Sequence, residues 1–408
     1  MMGIGALTKL LTQMAEPPVA LQRDSCLNQR HKQTDCHLCV VLCSKEAIAL
    51  GESVVVNAER CVACGLCWRG CPTEALTLRS MDHRKLLSQA YALIETDTRI
   101  EFACPRRGEG GPSAGCQAVL EMTCLAQVSV PLIVGSIEKG AKEVWLNDSR
   151  CGECELRATQ RQIGETALAA RQILEAFGRA GTVHLYSEDG ALLEGQGRTA
   201  RRLRAEDSVR SRRELLSIFS SRLLTEVKGS ITEPIANVLD TLAPPPSTRR
   251  VLPQKVPSER LLLLGILRGM GAPALDSYPL TGWRLARAGI DDRCSGCELC
   301  SMFCPTGAIV RTERAGELSI EFHAAYCVDC KICEAVCPSS SLRLQADVTL
   351  ADLLQENGNV LVKGPIVTCS ECGGSCLGRG SRPLCFICAK KGEFDRQGEE
   401  FKDSPAEE

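Results

Sequence analysis

The residues with obvious chemistry in this 408-residue chain are its 26 cysteines. They fall into four groups: eight between 26 and 71, five between 104 and 154, eight between 294 and 337, and five between 369 and 388. None lies between 155 and 293. The spacing inside the groups is what thiolate ligation requires. Cys294-x2-Cys297-x2-Cys300-x3-Cys304-Pro305 is followed by Cys327-x2-Cys330-x2-Cys333-x3-Cys337-Pro338. Three thiolates at close spacing let one tight loop wrap three corners of an iron–sulfur cube, and the fourth opens a segment that points away. Zinc sites take four ligands from C-x2-C pairs and do not need runs of four with a trailing proline.

Both runs resemble the bacterial dicluster ferredoxin pattern. The residues after each, TGAIV and SSSLRL, turn back into a strand, as such modules do. The resemblance implies a cross-over of ligands, in which the fourth cysteine of one run binds the cluster of the other. One [4Fe–4S] cluster then takes Cys294, Cys297, Cys300 and Cys337, and its neighbour takes Cys327, Cys330, Cys333 and Cys304. The amino-terminal group is a distorted copy. Its second run is regular, Cys61-x2-Cys64-x2-Cys67-x3-Cys71-Pro72, whereas its first reads Cys26-x9-Cys36-x2-Cys39-x3-Cys43, with Ser44 in place of proline. LNQRHKQTD (27–35) reads as a polar surface insertion. The same rule gives one cluster Cys26, Cys36, Cys39 and Cys71, and another Cys61, Cys64, Cys67 and Cys43, four clusters in all. If Cys26 is not a ligand, its site is a three-iron cluster or takes His31.

Composition excludes other classes. Hydrophobic residues make up 44% and charged residues 24%, a globular rather than a disordered balance. A secreted disulfide protein would be short and would carry a signal peptide. MMGIGALTKLLTQMAEPPVA has no sustained apolar core of that kind. The longest apolar run, LLLLGIL at 261–267, falls far short of the ~18 residues that span a bilayer. These features imply a cytoplasmic protein with reduced thiols and no membrane span. The net charge of −2 gives no sign of a nucleic-acid partner.

Between the large groups the pattern changes. MDHRKLLSQAYALIE, CLAQVSVPLIVGSIEKGA and ELRATQRQIGETALAARQILEAFG carry helical signals, and RIEFACP, KEVWLND and TVHLYSE read as strands. The alternation implies a parallel sheet with right-handed crossovers. Ligands of such sheets bind beyond the carboxyl ends of the strands. Cys104 ends the first strand, and Cys151 and Cys154 follow the second. These residues converge on one rim, joined by Cys116 and Cys124 from the segment between. In AKEVWLNDSRCGEC (141–154) a strand is followed by a close cysteine pair. This is similar to the delta subunit of methyl-viologen-reducing hydrogenases and its fused relatives, which implies a [2Fe–2S] or other iron–sulfur cluster. Zinc and a redox-active Cys151/Cys154 pair are the alternatives. Asp148, Glu153 and Glu155 would raise thiol pKa values and disfavour the dithiol.

Seven arginines lie between Arg198 and Arg213, followed at helical spacing by Leu215, Leu216, Phe219, Leu223 and Leu224. This reads as a solvated helix face or a docking surface for an acidic partner. It lacks the aromatic interleaving of a nucleic-acid site. LAPPPSTRRVLPQKVPSE (242–259) reads as an extended linker, and ERLLLLGILRGMG as a core helix. The last group pairs Cys369-x2-Cys372 with Cys385-x2-Cys388. It resembles a zinc ribbon, with Gly373 for the tight turn and strand signals in NVLVKGPIVT. Rubredoxin-type iron has the same spacing. Cys376 is spare.

The fold class is therefore α+β, in several domains. A dicluster module occupies 20–80 and an α/β domain 82–190. A basic helix and linker fill 191–260, a second dicluster module 261–345, and a ribbon-like unit 360–392. The function that follows is one-electron relay, with no catalytic residue of the chain's own. Polyferredoxin subunits of this kind serve anaerobic hydrogenases, formate dehydrogenases, heterodisulfide reductases and molybdopterin oxidoreductases. The resemblance thus implies a catalytic oxidoreductase subunit and a ferredoxin-type donor as partners. GEGG at 108–111 is too short to indicate a flavin or NAD loop. A competing reading is an assembly or redox-sensing factor that docks an apo-enzyme. A third is an enzyme whose middle cysteines hold a substrate-binding cluster.

Overall fold

Around the two groups of eight cysteines the chain makes three- to six-residue strands and one-turn helices, because the ligand loops leave no room for longer elements. The computed structural model describes residues 17–32, 34–95, 98–106, 115–189, 200–205, 252–379 and 381–391. The amino-terminal module has four strands, β1 (Val19–Leu21), β2 (Ile48–Leu50), β3 (Val54–Val56) and β4 (Leu76–Leu78). β1 pairs antiparallel with β4, and β2 with β3. The first strand closing on the last brings the two cysteine runs face to face.

The middle domain follows. Helix α1 (His83–Leu93) is capped by the Asp82 carboxylate, which accepts from Lys85 N at 2.8 Å. Strands β5 (Thr98–Ala103) and β6 (Ala118–Glu121) lead to α2 (Val130–Lys139), which begins at a Ser129 cap and ends at left-handed Gly140. Then come β7 (Ala141–Leu146), α3 (Ala158–Ala176), β8 (Val183–Leu185) and β9 (Arg201–Arg204). The sheet order is β8-β7-β5-β6-β9, every pair parallel. Its centre is Ile100, Phe102, Leu120, Val144 and Leu146, all fully buried. The three strands expected from the sequence are present; β6 and β9 are additional. β9 corrects the reading of the arginine-rich stretch as helix over its first part. Leu203 packs on the core, while Arg204 pairs with Glu121 at 3.3 Å, as suits a charged edge strand. Arg210 to Leu224, GEGG at 108–111 and the linker from 242 to 251 lie outside the described residues.

Helix α4 (Ser258–Gly269) buries Leu262, Leu263, Leu264, Ile266 and Leu267, as expected of a core helix. It crosses α2 at Gly135, where a side chain would meet Leu87 Cδ1 at 2.9 Å, Ile266 Cδ1 at 3.0 Å and Tyr91 Oη at 3.0 Å. Gly135→Val is therefore expected to cost about 1–3 kcal/mol through overpacking. A thermal midpoint equal to that of the unmodified protein would show that the three side chains can retreat.

The second module repeats the first in topology. β10 (Arg287–Ile290) pairs with β13 (Leu342–Gln345), enclosing the hairpin of β11 (Ile309–Arg314) and β12 (Glu317–Phe322). The tail is not a detached unit. β14 (Asn359–Thr368) pairs with β12 on one edge and with β15 (Ser375–Leu377) on the other, giving a sheet β11-β12-β14-β15. Among the described residues no helix is long and apolar enough to cross a membrane.

Candidate metal centres

The four cysteine runs share a loop geometry that the type of residue does not explain. Glu46, Glu74, Gly307 and Ser340, each three residues after the last cysteine of a run, all have positive φ, between 49° and 71°. Ala63, Gly296 and Asp329, each two residues after a first cysteine, do so as well. For a glutamate, a serine or an alanine this region is unfavourable, and such strain collects at ligand loops. It turns backbone N–H groups toward sulfur. Ala47 N donates to Cys43 Sγ at 3.3 Å, Ala75 N to Cys71 Sγ at 3.2 Å, Gly296 N to Cys294 Sγ at 3.4 Å and Asp329 N to Cys327 Sγ at 3.4 Å. Donors aimed at sulfur favour thiolate, the form that binds metal. Cys71 and Cys304 each have a threonine hydroxyl at 3.6 Å, on Thr73 and Thr306.

The runs cross over. Cys26, Cys36, Cys39 and Cys71 line one small pocket. Cys43, Cys61, Cys64 and Cys67 line another. In the second module Cys300 is surrounded by Cys297, Cys294 and Cys337, and Cys333 by Cys304, Cys330 and Cys327. Each quartet joins three thiols of one run to the last thiol of the other. Burial, then the mutual repulsion of these thiols, pushes Cys39 up to about 11 and Cys300 up to about 12. Cys337 goes the other way. Burial alone would raise it, but the hydroxyls of Ser341 and Ser339, at 3.4 and 3.7 Å, and backbone N–H groups hold it below the usual thiol value. Four sulfurs converging in a pocket with apolar walls suit an iron–sulfur cube, which takes four thiolates and no other donor.

Cys26 reaches its quartet because the nine-residue spacer is folded back. Leu27–Arg30 forms one helical turn, and the Asn28 side chain accepts from Cys36 N at 2.9 Å and donates to Cys36 O at 2.8 Å. This corrects the reading of 27–35 as a surface insertion: Leu27 and Arg30 are buried. His31 is not turned to the quartet; its ring stacks edge-on against Phe303, centroids 5.2 Å apart.

In the middle domain Cys104, Cys124, Cys151 and Cys154 line one pocket beyond the carboxyl ends of β5, β6 and β7. Cys116 does not join them. It precedes β6 at the amino edge of the sheet, buried beside Glu101, Arg99 and Glu143. Burial and then the neighbouring thiols push Cys151 up to about 12. The flanking acids are mostly compensated: Glu155 pairs with Lys45 of the first module and with Arg106 at 2.7 Å, and Glu153 with Arg150 at 3.1 Å. At the tail, the sulfurs of Cys369, Cys372, Cys385 and Cys388 all lie within 4.8 Å of one another. N–H groups of Cys385, Cys372 and Glu371 hold the Cys369 thiol down to about 6, as a metal-binding thiolate requires. Cys376, buried in β15, sits beside this quartet.

Comparison with known proteins agrees with this geometry. Residues 293–341 match the 4Fe-4S dicluster domain, and residues 54–77 the 4Fe-4S binding domain. The pyruvate synthase subunit PorD of Methanocaldococcus jannaschii is 39% identical over 61 residues, which cover 15% of this chain and 67% of that protein. The chain belongs to the ferredoxin-type 4Fe–4S proteins.

The ferredoxin-type modules abut their neighbours. Leu156 walls both the middle-domain pocket and that of Cys43, Cys61, Cys64 and Cys67, and Cys64 faces Cys124. Cys67 faces Cys39 of the next quartet. In the second module Cys333 faces Cys300. Leu377 N of the tail donates to Ser295 O at 3.0 Å, and Arg379 lies beside Cys294. Between the modules, Arg30 donates to Phe303 O and Cys304 O, each at 3.3 Å, and to Pro253 O at 2.6 Å. Arg260 donates to Ala325 O and Cys327 O, both at 2.9 Å. Neither arginine was signalled by the sequence, since a lone buried arginine has no spacing to reveal it.

Proposed function

We propose that the chain is a single-electron relay holding four [4Fe–4S] clusters in its ferredoxin-type modules, with a further iron–sulfur cluster in the middle domain and zinc at the tail. One observation carries this reading: the cysteine quartets follow one another in a single file. The order is middle domain, Cys43 quartet, Cys26 quartet, Cys304 quartet, Cys294 quartet, tail. The protein's part is to fix that spacing, to exclude water and to set potentials through charge and hydrogen bonds to sulfur. The bound clusters supply one-electron chemistry. The likeness to a subunit of pyruvate synthase supports an oxidoreductase as partner, with a ferredoxin-type protein at the other end of the file. The reduced thiols suit the cytoplasm.

The test is iron, sulfide and zinc per chain on anaerobically purified protein, with EPR of the reduced form. About sixteen irons from four cubes, and a few more from the middle site, are expected. Eight or fewer after careful reconstitution would mean that one module holds no clusters, and the relay would fail. Cys372→Ser is expected to remove zinc and leave iron unchanged. A loss of iron instead would place a cluster at the tail.

A further inference from the structure

The two modules meet across a seam in which two buried arginines are hydrogen-bonded to no carboxylate among the described residues. Arg30 and Arg260 are 6% and 8% exposed. Every hydrogen bond described for their guanidinium groups runs to a main-chain carbonyl: Asp24, Pro253, Phe303 and Cys304 for Arg30, and Ala325, Cys327 and Arg284 for Arg260. Carbonyls satisfy the N–H groups but do not neutralise the charge. A buried cation left without a countercharge is strongly destabilising, and natural interiors do not keep one. Arg260 has the carboxylate of Glu259 next to it in sequence, but that group pairs with Arg69. Thiolates come first among the anionic groups that the two guanidiniums face, ahead of Asp24 for Arg30 and of Glu259 for Arg260. Arg30 faces Cys304 and Cys330, and Arg260 faces Cys327, all of one quartet. Arg284, on the wall of the adjoining cleft, donates to Gly70 O and faces Cys71 and Cys36 of the facing quartet.

We infer that Arg30 and Arg260 are the countercharge of the seam and make its clusters the electron-attracting midpoint of the file. This rests on the proposed relay. A cube with four thiolates gains one negative charge on accepting one electron, and no bond breaks. A fixed guanidinium favours the more negative form, in a medium where charge interactions are poorly screened. Electrons supplied by a low-potential donor therefore settle first at the seam, and the outer centres fill afterwards. The arginines act as positioning and tuning residues: they touch the ligands' backbone, not the reacting atoms.

The experiment is an EPR-monitored redox titration, with dithionite as reductant, of the full chain and of Arg30→Met, Arg260→Met and Arg30→Lys. At fixed potential the reduced-to-oxidised ratio of the step that reduces first is expected to fall about tenfold in each Met variant, which is a shift of about 59 mV for one electron. The later steps stay in place, and Arg30→Lys retains most of the original value. Iron per chain is measured on every sample. A first step that does not move, at unchanged iron content, overturns the inference and leaves the relay standing. So does a displacement of all steps together, which would mark a loosened structure. Too few irons in the unmodified chain overturns the relay itself. If the Met variants fail to load iron, Arg30→Gln and Arg260→Gln, neutral but still able to donate to the carbonyls, decide by the same criterion: the first step falls in both, or the inference is wrong.

Discussion

Cys71→Ser is expected to remove the centre that Cys26 begins, and to spare that of the run Cys71 closes. Cys71 follows Cys67 by four residues, yet it lines the pocket of Cys26, Cys36 and Cys39. Iron per chain should fall by about four, the content of one cube. Double variants separate the sets. Cys71→Ser with Cys26→Ser should lose no more than either change alone, because groups that act as one unit are not additive. Cys71→Ser with Cys61→Ser should lose about twice as much. If the second pair loses no more iron than Cys61→Ser alone, the cross-over is wrong and each run holds its own cluster.

Glu74→Ala is expected to cost about 3–5 kcal/mol, the range for removing one partner of a buried ionic network. Glu74 follows the ligand loop and is 6% exposed. Its carboxylate accepts from Ser258 N at 2.6 Å, Ser258 Oγ at 2.9 Å and Glu259 N at 3.0 Å, and lies 3.3 Å from His83 Nε2. It thus closes the amino end of α4, where unpaired N–H groups and the helix dipole favour an anion. Burial alone would raise the acid; these donors, His83 first, overcome it and hold the carboxyl down to about 2. Since the folded value is depressed, its stabilising share is complete above the unfolded value of about 4.3 and is lost as pH falls from there through about 2. The gap in thermal midpoint between the unmodified protein and Glu74→Ala should therefore be no smaller at pH 5, where an imidazole gains its charge, than at pH 8. A gap that has narrowed by pH 5 would show that the carboxylate is not held by these donors.

The ligand runs were legible because a cube imposes its own spacing on the chain, whatever the surrounding fold. Cys26 lines the pocket of Cys36, Cys39 and Cys71 from nine residues' remove, and the Asn28 bridge that draws it in has no signal in the sequence. The middle domain was legible in outline, since RIEFACP and KEVWLND carry strand patterns strong enough to stand alone. Cys116 was misplaced for a traceable reason. AVLE is only four residues long and, by itself, reads as part of a connecting segment. Reading it as the strand β6 places Cys116 at its amino end and Cys124 past its carboxyl end, on opposite rims of the sheet. β9 escaped notice because RRLR has the composition of a solvated helix, and only its pairing with Ala118–Glu121 makes it a strand. The seam could not be read at all. Arg30 and Arg260 meet carbonyls more than sixty residues away in sequence.

The ten-residue strand β14 belongs to two neighbourhoods at once. Its first seven residues, from Asn359 to Pro365, are laced to β12 of the second module, and its last three, Ile366 to Thr368, to β15 of the tail. Local opening of the backbone therefore has a direction. On the proposal that the tail holds zinc, removing it with a chelator should let the amides from Val367 onward exchange with deuterium, while those near Val362, backed by β12, and that of Ile366, which donates to Gly316 O at 2.8 Å, keep their protection. Fraying would then advance along one continuous ribbon toward the ferredoxin-type module. The position of the boundary between fast and slow amides would register how firmly the tail is clasped, without any signal from the clusters themselves.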